Sequence, residues 1–122
     1  MTELNAATRL LKALGDETRM RILNLLAEEE LSGTDLMEIL NMGQSRISTH
    51  LALLKEVGLV QDRRAGRRSF FSIASSDATR LWEQARSESS DAPEFVADLA
   101  GLEAQRQRRK QESRAYFDRV AA

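Results

Sequence analysis

Residues 43–73, GQSRISTHLALLKEVGLVQDRRAGRRSFFSI, hold two different hydrophobic periods one after the other. In the first half Ile47, Leu51, Leu54 and Val57 fall on one helical stripe. Ser45, Thr49, Ala52 and Leu53 point away from it, and Arg46 and Ser48 flank it, so the first two turns present short polar groups and one arginine outward. Gly58 ends the helix. Residues 59–63 and 67–73 then read as two strands joined by Arg64-Ala65-Gly66, with Phe71 and Ile73 on one face and Phe70 on the other. The stretch predicts an amphipathic helix followed by a β-hairpin whose tip carries Arg63, Arg64, Arg67 and Arg68.

Upstream the period is helical throughout. Leu4, Ala7, Leu11 and Leu14 predict a first helix over residues 3–14, stopped by Gly15. Asp16 can cap a second, in which Met20, Leu23 and Ala27, with Ile22 and Leu26 beside them, form a wide apolar stripe. The acidic run Glu28, Glu29 and Glu30 ends it and reads as a solvated face, because consecutive helix residues diverge and cannot converge on a cation. Ser32 can cap a third, short helix bearing Leu36, Ile39 and Leu40, and Asn41-Met42-Gly43 breaks the chain before Gln44. The order is helix, tight turn, helix.

Downstream, Ala78, Leu81, Trp82 and Ala85 predict a fifth helix after the cap candidates Ser75, Ser76 and Asp77, and the polar run 87–91 reads as a joint. Pro93 suits the first turn of a last helix carrying Phe95, Leu99 and Leu102, with a second apolar patch at 115–120. Residues 105–111 are polar on every side, so they are either solvated or lie between two things that the helix connects. Residues 1–90 are therefore expected to form one winged unit and 91–122 a helical extension, mainly α with one small hairpin.

The 122 residues suffice for a single core. No apolar run approaches the roughly 18 to 20 residues that a membrane span needs, and residues 1–5 lack a signal-peptide profile, so the expected location is the cytoplasm. The absence of cysteine removes disulfides and thiolate chemistry, and His50 is the only histidine. No catalytic constellation, cofactor motif or metal site is expected. The net charge of −1 conceals a partition: residues 1–42 are net −4, residues 43–69 net +4 and residues 70–122 net −1. A positive field confined to the helix and hairpin that open this section is what a phosphate-contacting face looks like in sequence.

The major groove admits an α-helix, and a helix-turn-helix sets the start of its second helix against base edges. Gln44, Ser45, Arg46, Ser48 and Thr49 stand there, with the unpaired N–H groups of the helix start beside them. The hairpin arginines Arg63, Arg64, Arg67 and Arg68 suit the adjacent minor groove or phosphate backbone. His50, about 60° from the buried stripe, is expected to be partly buried with a hydrogen bond or to touch phosphate. Trp82, Phe95, Tyr116 and Phe117 read as core or dimer contacts rather than a ligand cage.

Residues 11–73 resemble the ArsR/SmtB regulators, dimeric winged helix-turn-helix repressors. LKALGDETRMRILNLL, residues 11–26, is similar to that family's opening helices, and residues 43–73 to its recognition helix and wing. The resemblance implies double-stranded DNA as partner, an inverted-repeat operator, and a homodimer built on the first and fifth helices, here through Leu4, Leu11, Leu14, Leu81 and Trp82. Metal-sensing members carry two cysteines in the stretch that here reads ELSGTDL, where Ser32 and Thr34 stand, so the effector cannot be thiolate-bound. The ending RRKQESRAYFDRVAA resembles a helix that in some members leads into an S-adenosylmethionine-dependent methyltransferase. That resemblance implies a small-molecule effector of the methyl-transfer cycle or, alternatively, the DNA-targeting front of a longer enzyme.

Overall fold

A computed structural model describes residues 3–121. Six helices and three short strands follow in the order α1 (Glu3–Leu14), α2 (Glu17–Glu28), β1 (Leu31–Ser32), α3 (Gly33–Leu40), α4 (Gln44–Glu56), β2 (Val60–Ala65), β3 (Arg68–Ile73), α5 (Ala78–Glu88) and α6 (Pro93–Ala121). Asp16 and Ser32 cap their helices as expected, whereas Asp77, at the start of α5, makes no side-chain cap bond. Asp16 accepts the Arg19 N–H at 3.0 Å. Ser32 and Asp35 form a reciprocal capping box, the Asp35 N–H donating to Ser32 Oγ at 3.1 Å and the Ser32 N–H to Asp35 Oδ2 at 2.9 Å. The turn between α3 and α4 opens on Asn41 in the left-handed region at φ 55°, which asparagine tolerates better than most residues.

The apolar stripes meet in one core. Ile22, Leu23, Leu25 and Leu26 of α2, Ile47, Leu51 and Leu54 of α4 and Leu36 of α3 pack together, closed by Leu31, Leu59 and Val60. Trp82, 1% exposed, and Phe95 join the same cluster edge to face, ring centroids 6.5 Å apart. The first half of α6 lies along α2 and α3 and buries Phe95, Asp98, Leu102 and Gln105. The division expected between residues 90 and 91 thus falls at the α5–α6 joint, while the core runs across it.

Three features differ from the sequence reading. A two-residue strand, β1, was not expected; it pairs with β3 as Leu31↔Phe71 and Ser32↔Phe70, giving an antiparallel sheet in the order β1-β3-β2. The hairpin closes more tightly than expected: β2 runs on to Ala65, which pairs with Arg68, so the loop is Gly66-Arg67. Gly66 at φ 65° supplies the positive dihedral that the first position of a type II′ turn needs. The stretch 105–111 is docked at its start. Arg106 bonds Glu29 at 3.2 Å, Arg109 bonds Asp35 at 2.6 Å and Arg108 pairs with Glu38. From Lys110 onward α6 is exposed on every side.

Candidate nucleic-acid interface

α4 buries Ile47, Leu51 and Leu54, and that choice alone turns Gln44, Ser45, Ser48 and Thr49 to solvent. Thr49 Oγ1 donates to the Ser45 carbonyl at 2.8 Å, the ordinary resting bond of a threonine on a helix. Arg46 is exposed and reaches toward α2, one guanidinium nitrogen 3.4 Å from Thr18 Oγ1. The α4 start is capped by no side chain, since its N-cap is Gly43, and its first N–H groups remain open to a ligand.

Strand register sorts the four wing arginines, which look alike in the sequence. Arg63 pairs across the hairpin with Phe70, and Arg68 lies two residues before Phe70 on the same face. Both guanidiniums lie over the Phe70 ring, at 4.9 and 5.4 Å. Arg63 also donates to both oxygens of Glu30 at 2.7 to 3.0 Å and holds that carboxyl below its ordinary range, while Arg68 donates to Ser32 Oγ at 3.0 Å. Arg64 pairs with Ser69 on the opposite face, which it shares with Asp62, itself bonded to Lys55 of α4 at 2.9 Å. Arg64 is thus on the α4 side and Arg67 in the loop; both are exposed and, among the described residues, make no ion pair.

Between α3, α4 and β3 lies a cleft of about 440 Å³ lined by Ser32, Gly33 and Thr34, by Gln44 and Ser48, and by Arg67, Arg68 and Ser69, with Met37, Ile47 and Phe71 as its apolar floor. It gathers one face of α4, the N-terminus of α3 and one edge of the wing around a single space. Sequence reasoning singled out Gln44, Ser48, Arg67 and Arg68 but missed Thr34 and Ser69, which come to the cleft only through the pairing of β1 with β3.

His50 is half-buried on the side of α4 that faces Arg19. Its Nδ1 lies 3.3 Å from an Arg19 guanidinium that also donates to the carbonyls of Ala13 and Lys12 at 2.7 and 2.9 Å. Because arginine can only donate, Nδ1 accepts and the imidazole is neutral. Burial pushes its pKa below the ordinary value; Asp16 opposes this, and Arg19 and Arg46 add to it. This geometry makes His50 a tie between α4 and the α1–α2 corner.

The dimer residues divide as well. Leu14 and Trp82 are consumed by the protomer's own core, which leaves Leu4, Leu11 and Leu81 exposed on α1 and α5. Glu28 and Glu30 of the acidic run are exposed, as a solvated face requires, while each of the three carboxylates also meets a distant arginine: Glu28 bonds Arg86, Glu29 bonds Arg106, and Glu30 bonds Arg63. The stretch where the resemblance puts a thiolate metal site does not suit one. Ser32 Oγ is committed to the capping box, and Arg68 and Arg109 bring two guanidiniums to the Asp35 carboxylate, a field that repels cations.

Comparison with known proteins agrees with this geometry. Residues 16–62 match the family described as bacterial regulatory protein, arsR family. The transcriptional activator HlyU of Vibrio cholerae is 38% identical over 77 residues, spanning 63% of this chain and 71% of that protein. The arsenical resistance operon repressor of Escherichia coli is 50% identical over 60 residues, 48% of this chain and 51% of the repressor. The regulator Rv0324 of Mycobacterium tuberculosis is 35% identical over 97 residues, 80% of this chain but 42% of its own length. Among solved structures, the homodimeric winged helix-turn-helix DNA-binding domain of Mb0332 from Mycobacterium bovis superposes with a TM-score of 0.65 at 32% identity, over 74% of this chain and 83% of that one. With its helix-turn-helix, basic wing and these relatives, the chain belongs to the ArsR family of DNA-binding transcriptional regulators.

Proposed function

We propose that the chain acts in the cytoplasm as a homodimeric repressor that places α4 in the major groove of an inverted-repeat operator, half-sites about one helical turn apart. The observation that carries this is the shared cleft: Gln44 and Ser48 of α4 and Arg67 and Arg68 of the wing border one space, so a single duplex can engage both. Gln44, Ser45, Ser48 and Thr49 read base edges, Arg46 swings out from Thr18 to join them, and Arg64, Arg67 and Arg68 hold phosphate. Arg63 and His50 support the interface from behind. The protomers meet through Leu4, Leu11 and Leu81 of α1 and α5. Release is by a small molecule bound without thiolates, possessing different affinities for the DNA-competent and incompetent states.

Fluorescence anisotropy with the DNA upstream of its own gene and a scrambled duplex, at two salt concentrations, tests the proposal. A preference of about a thousandfold or more, weakening steeply with salt, is expected. Equal, weak binding to both duplexes overturns specific recognition of that promoter. A second reading, the DNA-targeting front of a longer enzyme, is favoured by the match to Rv0324, which covers most of this chain and under half of that protein. A reading frame running past residue 122 into a nucleotide-binding glycine motif decides for it.

A further inference from the structure

Asp35 is a buried carboxylate bonded to Ser32, which lines the cleft proposed to receive phosphate, and its surroundings show how that conflict is resolved. Its Oδ2 accepts the Ser32 N–H, which fixes the carboxylate at the N-terminus of α3. Its Oδ1 takes two arginines unequally: Arg109 of α6 donates at 2.6 Å, whereas Arg68 of the wing stands at 3.9 Å. Arg68 is thereby left with a neutral partner, Ser32 Oγ at 3.0 Å, and its side chain remains 55% exposed at the cleft. Arg109 comes from the far side and does not line the cleft; it also bonds Gln105 Oε1 at 3.0 Å, which holds it in place along α6.

We infer that Arg109 is a positioning residue of the DNA interface: by occupying Asp35, it keeps the wing's Arg68 free for a backbone phosphate. The inference rests on the reading of Arg68 as a phosphate contact given above. Without Arg109 the nearest uncompensated cation to Asp35 is Arg68, and charge-assisted hydrogen bonding draws it inward. The neighbourhood of Asp35, Arg68 and Arg109 then falls from net positive to neutral where the phosphate must sit. The middle of α6 thus acts on DNA affinity through one shared carboxylate, without touching DNA.

The test uses the full chain and a duplex enriched by the wild-type protein from a random pool, titrated over a series of salt concentrations. Arg68→Gln and Arg109→Gln are each expected to weaken binding by about three- to tenfold and to flatten the salt slope by about one unit per protomer. The double variant is expected to be no worse than Arg68→Gln. In an Asp35→Asn background, which keeps an oxygen for the Ser32 N–H, Arg109→Gln is expected to have no effect. A merely structural role for Arg109 predicts the same loss in both backgrounds, with a matching fall in melting temperature, and that result overturns the inference. So does an unaltered Arg109→Gln beside a weakened Arg68→Gln. If Arg68→Gln itself changes nothing, the reading of Arg68 as a contact fails first, and the inference falls with it. Arg109→Lys, which retains the charge, separates loss of the pair from failure to fold and is expected to recover most of the wild-type slope.

Discussion

Replacing Arg21 with methionine keeps the length of the side chain and deletes its charge, and the structure allows the consequence to be worked out. Arg21 holds Asp98 by two parallel bonds, Nε to Oδ2 and a terminal nitrogen to Oδ1, each 2.9 Å. Asp98 is only 3% exposed, and the same bond raises the pKa of Arg21, with Glu94 and Glu17 adding to the effect. The variant leaves a buried carboxylate without a partner and two further carboxylates nearby. Breaking a buried pair from one side costs about 3 to 5 kcal/mol; the lower end applies because Arg21 itself reaches solvent. Unfolding entropy near 2.1 cal/mol/K per residue over 122 residues converts about 3 kcal/mol into a drop of roughly 12 °C. Thermal unfolding followed by circular dichroism measures it, at one protein concentration because dimerisation shifts the midpoint. A drop under about 3 °C at neutral pH refutes the claim that this pair anchors α6 to α2.

Three further outcomes are expected. Arg64→Ala with Arg67→Ala weakens binding to all duplexes alike and flattens the salt slope, whereas Ser48→Ala or Gln44→Ala changes sequence preference; both effects are read by anisotropy against single-base variants of the operator. Leu11→Asp with Leu81→Asp moves the chain from dimer to monomer in sedimentation without unfolding it, since both side chains are exposed in the protomer. Burial depresses the His50 pKa, so the unfolded chain binds its proton first as pH falls. The His50 contribution is complete above the unfolded value near 6.5 and is lost as pH drops through the lower, folded one. Urea unfolding between about pH 7 and 5 should therefore show a decline that His50→Gln reduces.

Much of this protein is written in local pattern. The spacing of Ile47, Leu51 and Leu54 decides which side of α4 is buried and so which residues face outward, because a helix has one period and a core takes one stripe. Asp16, Ser32 and Gly58 mark element ends by chemistry that acts within a few residues. The order of helices and hairpin, and the basic segment within an acidic chain, follow from the same short-range reading. What tertiary structure alone decided is which charges are free. Arg63 and Arg64 are adjacent in sequence, yet strand register puts one on Phe70 and Glu30 and leaves the other unpaired toward α4. Glu28, Glu29 and Glu30 find arginines 58, 77 and 33 residues away, and Asp98 finds Arg21 across 77. Leu14 and Trp82 carry no mark in the sequence that tells a core contact from a dimer contact. Periodicity reports which face an element buries, but pairing between distant charges depends on how elements dock, and only the packed molecule brings those side chains within reach.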